Sequence, residues 1–138
     1  MESGWHLSEQ LRLTASYAYL DATQPDDLGL GLGRFKEARR PKHSGSIAAD
    51  GVVGRLKYGF SVSYTGAHID TDFETFPFER VRLGAYWLAG ARVAYNVSPN
   101  VELFVRAANA FDERYQDALG YRTEGRSIYA GIRLAPRL

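Results

Sequence analysis

Apolar and polar side chains alternate along stretch after stretch of this chain, and that alternation restricts the possible fold more than any other feature. Between Arg55 and Gly66 the even positions are Leu56, Tyr58, Phe60, Val62 and Tyr64, and the odd ones are Arg55, Lys57, Gly59, Ser61, Ser63 and Thr65. Successive side chains of a strand point to opposite faces, so this segment is a strand with one apolar, aromatic face and one polar or small face. A helix would mix the two sets. The pattern recurs in Leu11, Leu13, Ala15, Tyr17 and Tyr19, and in Leu83, Ala85, Trp87, Ala89, Ala91, Val93 and Tyr95. It recurs again in Val101, Leu103, Val105 and Ala107, and in Ile128, Ala130, Ile132 and Leu134. A weaker segment, Lys42–Asp50, offers Ile47 and Ala49.

These patterns predict six strands, at about 11–23, 42–50, 55–70, 82–97, 101–111 and 126–135. Strands of ten residues or more exceed the usual globular length and suit a tilted crossing of a bilayer. Short connections at 51–54 and 98–100 alternate with long ones at 24–41, 71–80 and 112–125. That is the arrangement of a membrane barrel with its long loops outside the cell. The expected fold class is therefore all-β: an antiparallel up-and-down transmembrane β-barrel segment, a partial barrel. Trp87, Tyr17, Tyr19, Tyr58, Tyr64 and Tyr95 would form its interface girdles.

Composition removes other classes. With no cysteine among 138 residues there is no disulfide framework, no Cys-ligated metal and no thiol nucleophile. Lys and Arg number 17 against 16 Asp and Glu, interleaved, whereas a nucleic-acid binder carries a basic excess on one face. No apolar run reaches the length of a transmembrane helix, and MESGWHLSEQ lacks the regions of a signal peptide.

The stretch Asn109-Ala110-Phe111-Asp112-Glu113-Arg114-Tyr115-Gln116, followed by Gly120-Tyr121-Arg122-Thr123-Glu124-Gly125-Arg126, resembles the C-terminal signature of TonB-dependent receptors, with Ala110 in place of the usual Leu. Tyr17-Ala18-Tyr19-Leu20-Asp21-Ala22 and Arg39-Arg40-Pro41-Lys42 resemble further pieces of that family. Asp70–Phe78 and Val81–Gly84 are similar to its cobalamin-receptor branch. The resemblance implies a 22-stranded, plugged barrel that takes up a scarce ligand across the outer membrane. Energy is drawn from an inner-membrane TonB complex through a short N-terminal box.

On that resemblance, residues 1–138 are expected to be the C-terminal portion of such a barrel, with plug domain and TonB box absent. Six strands cannot close, since the smallest membrane barrels have eight. Open edges in lipid would leave backbone groups unsatisfied. The chain is thus expected to be a fragment of a longer protein. Met1 falls inside what reads as a preceding hairpin, and the last strand stops before Pro136 instead of ending on an aromatic residue. The expected partners are outer-membrane lipid, the remainder of barrel and plug, the TonB complex through the missing N-terminal part, and a small-molecule ligand. The expected location is the cell outer membrane.

The resemblance also implies ligand contacts. Arg39 matches a basic substrate-contacting position of cobalamin receptors, and Phe73 matches an aromatic that packs on the ligand, with Phe76 and Phe78 as its packing alternative. The signature residues are Asn109, Phe111, Asp112, Tyr115, Gly120, Tyr121, Gly125 and Arg126. Polar faces carrying Arg55, Lys57, Arg82 and Arg92 are expected to line the lumen and meet the plug. Asp70 and Asp72, with Asp26 and Asp27, read as solvated loop acids, because their spacing is not that of a calcium loop.

His6, His43 and His68 lack ligand spacing, so no metal is expected. Gly29-Leu30-Gly31-Leu32-Gly33 lacks the third glycine and the βαβ setting of a dinucleotide site, so no cofactor is expected. No nucleophile elbow is present, and the chain reads as a non-enzyme. The competing reading is a soluble β-sheet module that binds a partner through its open edges, or a receptor remnant without function.

Overall fold

In a computed structural model, residues 1–8, 10–25 and 33–135 are described. Seven strands form one antiparallel sheet: β1 (Glu2–Ser8), β2 (Leu11–Tyr19), β5 (His43–Val53), β6 (Leu56–Thr65), β9 (Tyr86–Ser98), β10 (Val101–Ala108) and β11 (Ser127–Leu134). They lie side by side in chain order, with every neighbour antiparallel. This is the up-and-down meander that the alternating loop lengths imply. Two small ribbons, β3 (Thr23–Pro25) with β4 (Arg34–Lys36) and β7 (His68–Asp72) with β8 (Glu79–Leu83), stand in the long connections at one end.

Register converts the sequence alternation into two faces. One row across the sheet reads Leu13, Ala49, Phe60, Ala91, Ala107 and Ile128. The next row on the same face contains Ala15, Ile47, Val62 and Ala89. The opposite face carries Arg12, Asp50, Gly59, Arg92, Arg106 and Tyr129 in one row and Thr14, Ala48, Ser61 and Gly90 in another. The apolar face does not close on a core. Ile47 is 63% exposed, Trp87 60% and Ile128 70%. A contiguous apolar surface of this extent is a surface awaiting lipid or another chain.

Aromatics cap both ends of the apolar face. Tyr17, Tyr64 and Trp87 share a row at the loop end, where the Tyr64 and Trp87 rings lie 4.7 Å apart. Tyr58 and Tyr95 sit toward the short turns. From Tyr58 to Tyr64 along β6 is about 20 Å at a strand's rise per residue, comparable to the apolar band of a membrane barrel. Glycines make room for rings. A Cβ on Gly131 would come within 2.6 Å of the Phe104 ring, which lies across the bare backbone of β11.

Several expected boundaries shift. The sheet has seven strands, not six, because Glu2–Ser8 pairs with β2. That segment offers only Trp5 and Leu7 as large apolar residues, too few to show a period. The long strands expected at 55–70 and 82–97 each divide, at Gly66-Ala67 and at Gly84-Ala85. No residue is gained or lost at the break, since Thr65 faces Tyr86 and His68 faces Leu83. The Gly66 N–H donates to the His43 carbonyl at 2.8 Å, the last rung that ties this strand to β5, and beyond it the hairpin continues as a ribbon. Leu83, placed by alternation on the face of Trp87, is consequently buried at the ribbon base. The strand expected at 11–23 ends at Tyr19, with Thr23–Pro25 as a separate short strand. The strand expected at 42–50 extends to Val53, which shortens the turn that follows.

Candidate functional site at the loop end

The three long connections, 20–42, 66–85 and 109–126, leave the sheet at the same end and lock onto one another. Their junction is Asp70 on β7, whose side chain is 1% exposed. Its Oδ1 accepts from the Thr71 N–H at 2.9 Å and from Arg39 Nε at 3.0 Å, and its Oδ2 accepts from the Leu119 N–H at 2.7 Å. One carboxylate thus ties the first loop, the second and the third. Burial pushes the Asp70 carboxyl up, but the Leu119 N–H, the Arg39 guanidinium and the Thr71 N–H together reverse this and hold it below the usual carboxylate range. Asp70 is therefore not the solvated acid expected from sequence. Asp72, two residues on, does accept from the Glu74 N–H at the start of the exposed tip.

Arg39 occupies the left-handed region at φ 58, which is uncommon for a residue with a long side chain. Its N–H donates to the Ile69 carbonyl at 2.7 Å while its side chain reaches Asp70, and these two bonds hold the conformation. The Arg39 side chain remains 54% exposed. His68 is buried next to this junction, with Nδ1 at 3.2 Å from the Gly66 carbonyl and Nε2 at 3.1 Å from the Asp117 carbonyl. The Tyr86 hydroxyl donates to the Asp117 carboxylate, and the Tyr86 and Tyr115 rings pack at 4.3 Å. Burial, with the carboxylates of Asp117 and Glu124, pushes the Tyr115 phenol up.

The signature stretch is an internal clasp. Asn109 Oδ1 accepts from the Glu113 N–H at 2.8 Å, and its Nδ2 donates to the carbonyls of Glu113 and Glu124 at 2.9 and 3.2 Å. Asp112 Oδ1 accepts from the Arg126 N–H at 2.9 Å, and a Cβ on Gly125 would fall 2.8 Å from that same oxygen. Asn109 and Asp112 both have positive φ, which Asn and Asp tolerate better than other residues with a side chain. Gly120, at φ 79, turns the chain back. Phe111 and Tyr121 point outward, 82% and 71% exposed.

Of the expected ligand contacts, Phe73 stands at the tip of the second ribbon, 67% exposed, its ring 5.4 Å from Phe78. Phe76 packs on Phe78 in turn, at 5.9 Å, so the packing alternative is realised among all three rings. Arg39 lies at the ribbon's flank, bound to Asp70. Asp26, Asp27 and residues 29–32 of the glycine-rich stretch lie outside the described residues. Sequence reading set His68 aside for want of ligand spacing and gave Tyr86 and Asp117 no role. His68 and Tyr86 fall on segments expected to be regular strands and Asp117 in a long connection, and nothing local signals their contact.

The polar face carries its own charges. Lys57 Nζ and Arg133 Nη1 each lie 2.6 Å from a different oxygen of Glu102, and Arg92 lies 3.4 Å from Asp50 across Gly59. Lys57 and Arg92 therefore lie on the polar face of the sheet, as the alternation predicts. Arg55 does not, because it occupies the turn before β6, its Nη1 3.4 Å from the Val97 carbonyl. Arg82 is displaced as well, to ribbon strand β8.

A family model for the TonB dependent receptor-like β-barrel matches residues 1–110. Among solved structures, the pyoverdine receptor FpvA of Pseudomonas aeruginosa is similar with a TM-score of 0.76 at 18% identity, covering 96% of this chain and 18% of its own. The siderophore receptor PiuA of Acinetobacter baumannii gives 0.74 at 19% identity, over 95% and 20%. The ferric-catecholate import receptor Fiu of E. coli K12 gives 0.72 at 20% identity, over 93% and 19%. The likeness is one of fold, and the chain spans about a fifth of the length of each of these receptors.

Proposed function

This chain belongs to the TonB-dependent receptor-like β-barrel family, and from that premise we propose that it forms seven consecutive wall strands of an outer-membrane receptor for energy-coupled uptake of a scarce, bulky ligand. The observation that carries the reading is the division of one meander into a continuous apolar face and a charged face, with every long connection gathered at one end. In this reading the apolar face meets lipid and the charged face lines the lumen. The interlocked loops face the exterior, and the chain is the C-terminal part of the barrel.

The ligand class is a siderophore or cobalamin. Siderophore receptors are among the similar folds, whereas the Asp70–Gly84 stretch resembles the cobalamin branch. The exposed Phe73, with Phe76 and Phe78, would pack on the ligand, and the open side of the Arg39 guanidinium would donate to it. The residues from Asn109 to Arg126 hold the loop that completes the rim.

The test is uptake by the full-length receptor in cells lacking their own, with radiolabelled ferric siderophores and labelled cobalamin supplied separately. Accumulation of one ligand that stops when the TonB complex is removed is the expected result. Uptake of neither, or uptake indifferent to the TonB complex, would contradict the proposal.

A further inference from the structure

Beyond this function, we propose that the cleft between the bases of the two ribbons is a binding site for a phosphate group. The cleft, of about 250 Å³, is lined by Lys36, Arg40, Lys42 and Arg82 together with Asp21 and Glu37. Lys42 Nζ lies 3.4 Å from Asp21, and Arg40 Nε lies 3.8 Å from Glu37. Lys36 and Arg82 have no ion-pair partner among the described residues. Two positive charges in this lining are therefore unbalanced, matching a doubly ionised phosphate monoester.

The cations are mounted on backbone that is tied on three sides. The Leu20 N–H donates to the Lys42 carbonyl at 3.0 Å, the Glu37 N–H to the Ala22 carbonyl at 3.0 Å, and the Arg39 N–H to the Ile69 carbonyl at 2.7 Å. The Arg80 guanidinium donates to the Lys36 carbonyl and lies 5.4 Å from the Phe35 ring, which steadies the strand carrying Lys36. Arg39 commits its own charge to Asp70, while Arg40 lines the cleft. Two arginines and two lysines then line one small space. Planar guanidinium forks suit the oxygens of a phosphate.

The site adjoins the loop-end termini of β2 and β6, beside the row of Tyr17, Tyr64 and Trp87. In the receptor reading this is the level of outer-leaflet headgroups. The phosphate would then belong to a membrane lipid or to a soluble phosphate ester.

The full-length receptor in detergent, titrated calorimetrically with inorganic phosphate, reads the site without reference to membrane location or uptake. Native mass spectrometry of the same protein, extracted from the outer membrane, reads retained lipid. The expected result is saturable phosphate binding that weakens as salt rises and that falls about tenfold or more in the double variant K36Q/R82Q. The control R12Q/R55Q, which removes the same charge at the other end of the sheet, should bind as the parent does. Unchanged heat-modifiable gel mobility of each variant verifies the barrel, and the single variant K36Q serves where the double one does not fold. A phosphate-bearing lipid retained by the parent and lost from K36Q/R82Q assigns the site to lipid. Phosphate titration without retained lipid assigns it to a soluble ester. Absence of saturable phosphate binding, or equal weakening in R12Q/R55Q, would overturn the proposal.

Discussion

At the scale of single residues, the loop end depends on Asp70. Two of its three bonds reach segments 31 and 49 residues away, at Arg39 and Leu119. Replacing it with Ala leaves the Leu119 N–H without its partner and the Arg39 backbone held in the left-handed region by one bond fewer. Hydrogen–deuterium exchange should rise around 38–40 and 117–121, consistent with a loss of about 1–3 kcal/mol, while the strands stay protected. The pH dependence has a definite sign. Asp70 is depressed in the folded state, so its contribution is complete above the ordinary Asp value of about 4 and disappears as pH falls through the lower folded value. Protection of Leu119 should therefore hold at neutral pH, begin to weaken below the ordinary Asp value of about 4 and be lost only as pH falls through the lower folded value. In the Asp70→Asn variant it should be weak at every pH. The position was not legible in the sequence. An aspartate near a loop tip reads as solvated, and nothing local announces partners so far along the chain. Asn109 and Asp112 were legible as a signature, but their work, holding a loop by its backbone groups, appears only in the fold.

At the scale of elements, the two faces of each strand make opposite demands. Ile47 and Ser46 are adjacent on β5, with Ile47 on the apolar face opposite Val62 and Ser46 hydrogen-bonded to Ser16 on the polar one. Ile47→Arg should cost about 2–4 kcal/mol in a bilayer, read as a lower denaturant midpoint of the inserted receptor. Ser46→Arg should cost far less. Equal effects would deny the assignment of faces. On the polar side, Glu102→Ala leaves Lys57 and Arg133 without the carboxylate between them, and the same midpoint should fall.

The alternation that fixes these faces was plain in β2, β6, β9, β10 and β11, where it runs long enough to exclude a helix. It was faint in β1. It also misled at Gly66 and Gly84, because an unbroken pattern hides a hairpin that leaves one sheet to become a separate ribbon. The bond from Gly66 to His43 is the last rung to β5, which begins at His43, and side-chain period carries no record of where a neighbouring strand begins.

At the scale of the whole molecule, the sheet ends in β1 and β11, which have no second partner strand among the described residues. A wall of this kind is stable in lipid only when both edges are paired, which is the physical content of assigning it to a larger barrel. These 138 residues contain no cysteine, which allows a direct test. In the full-length receptor, with any cysteine outside these residues replaced, single cysteines placed in turn at 59, 60, 61, 62, 63 and 64 can be labelled with a fluorophore and exposed to a quencher confined to the bilayer core. Quenching at Phe60, Val62 and Tyr64, alternating with its absence at Gly59, Ser61 and Ser63, is the predicted result. Uniform quenching, or none at any position, would contradict the account that this sheet is a lipid-facing barrel wall.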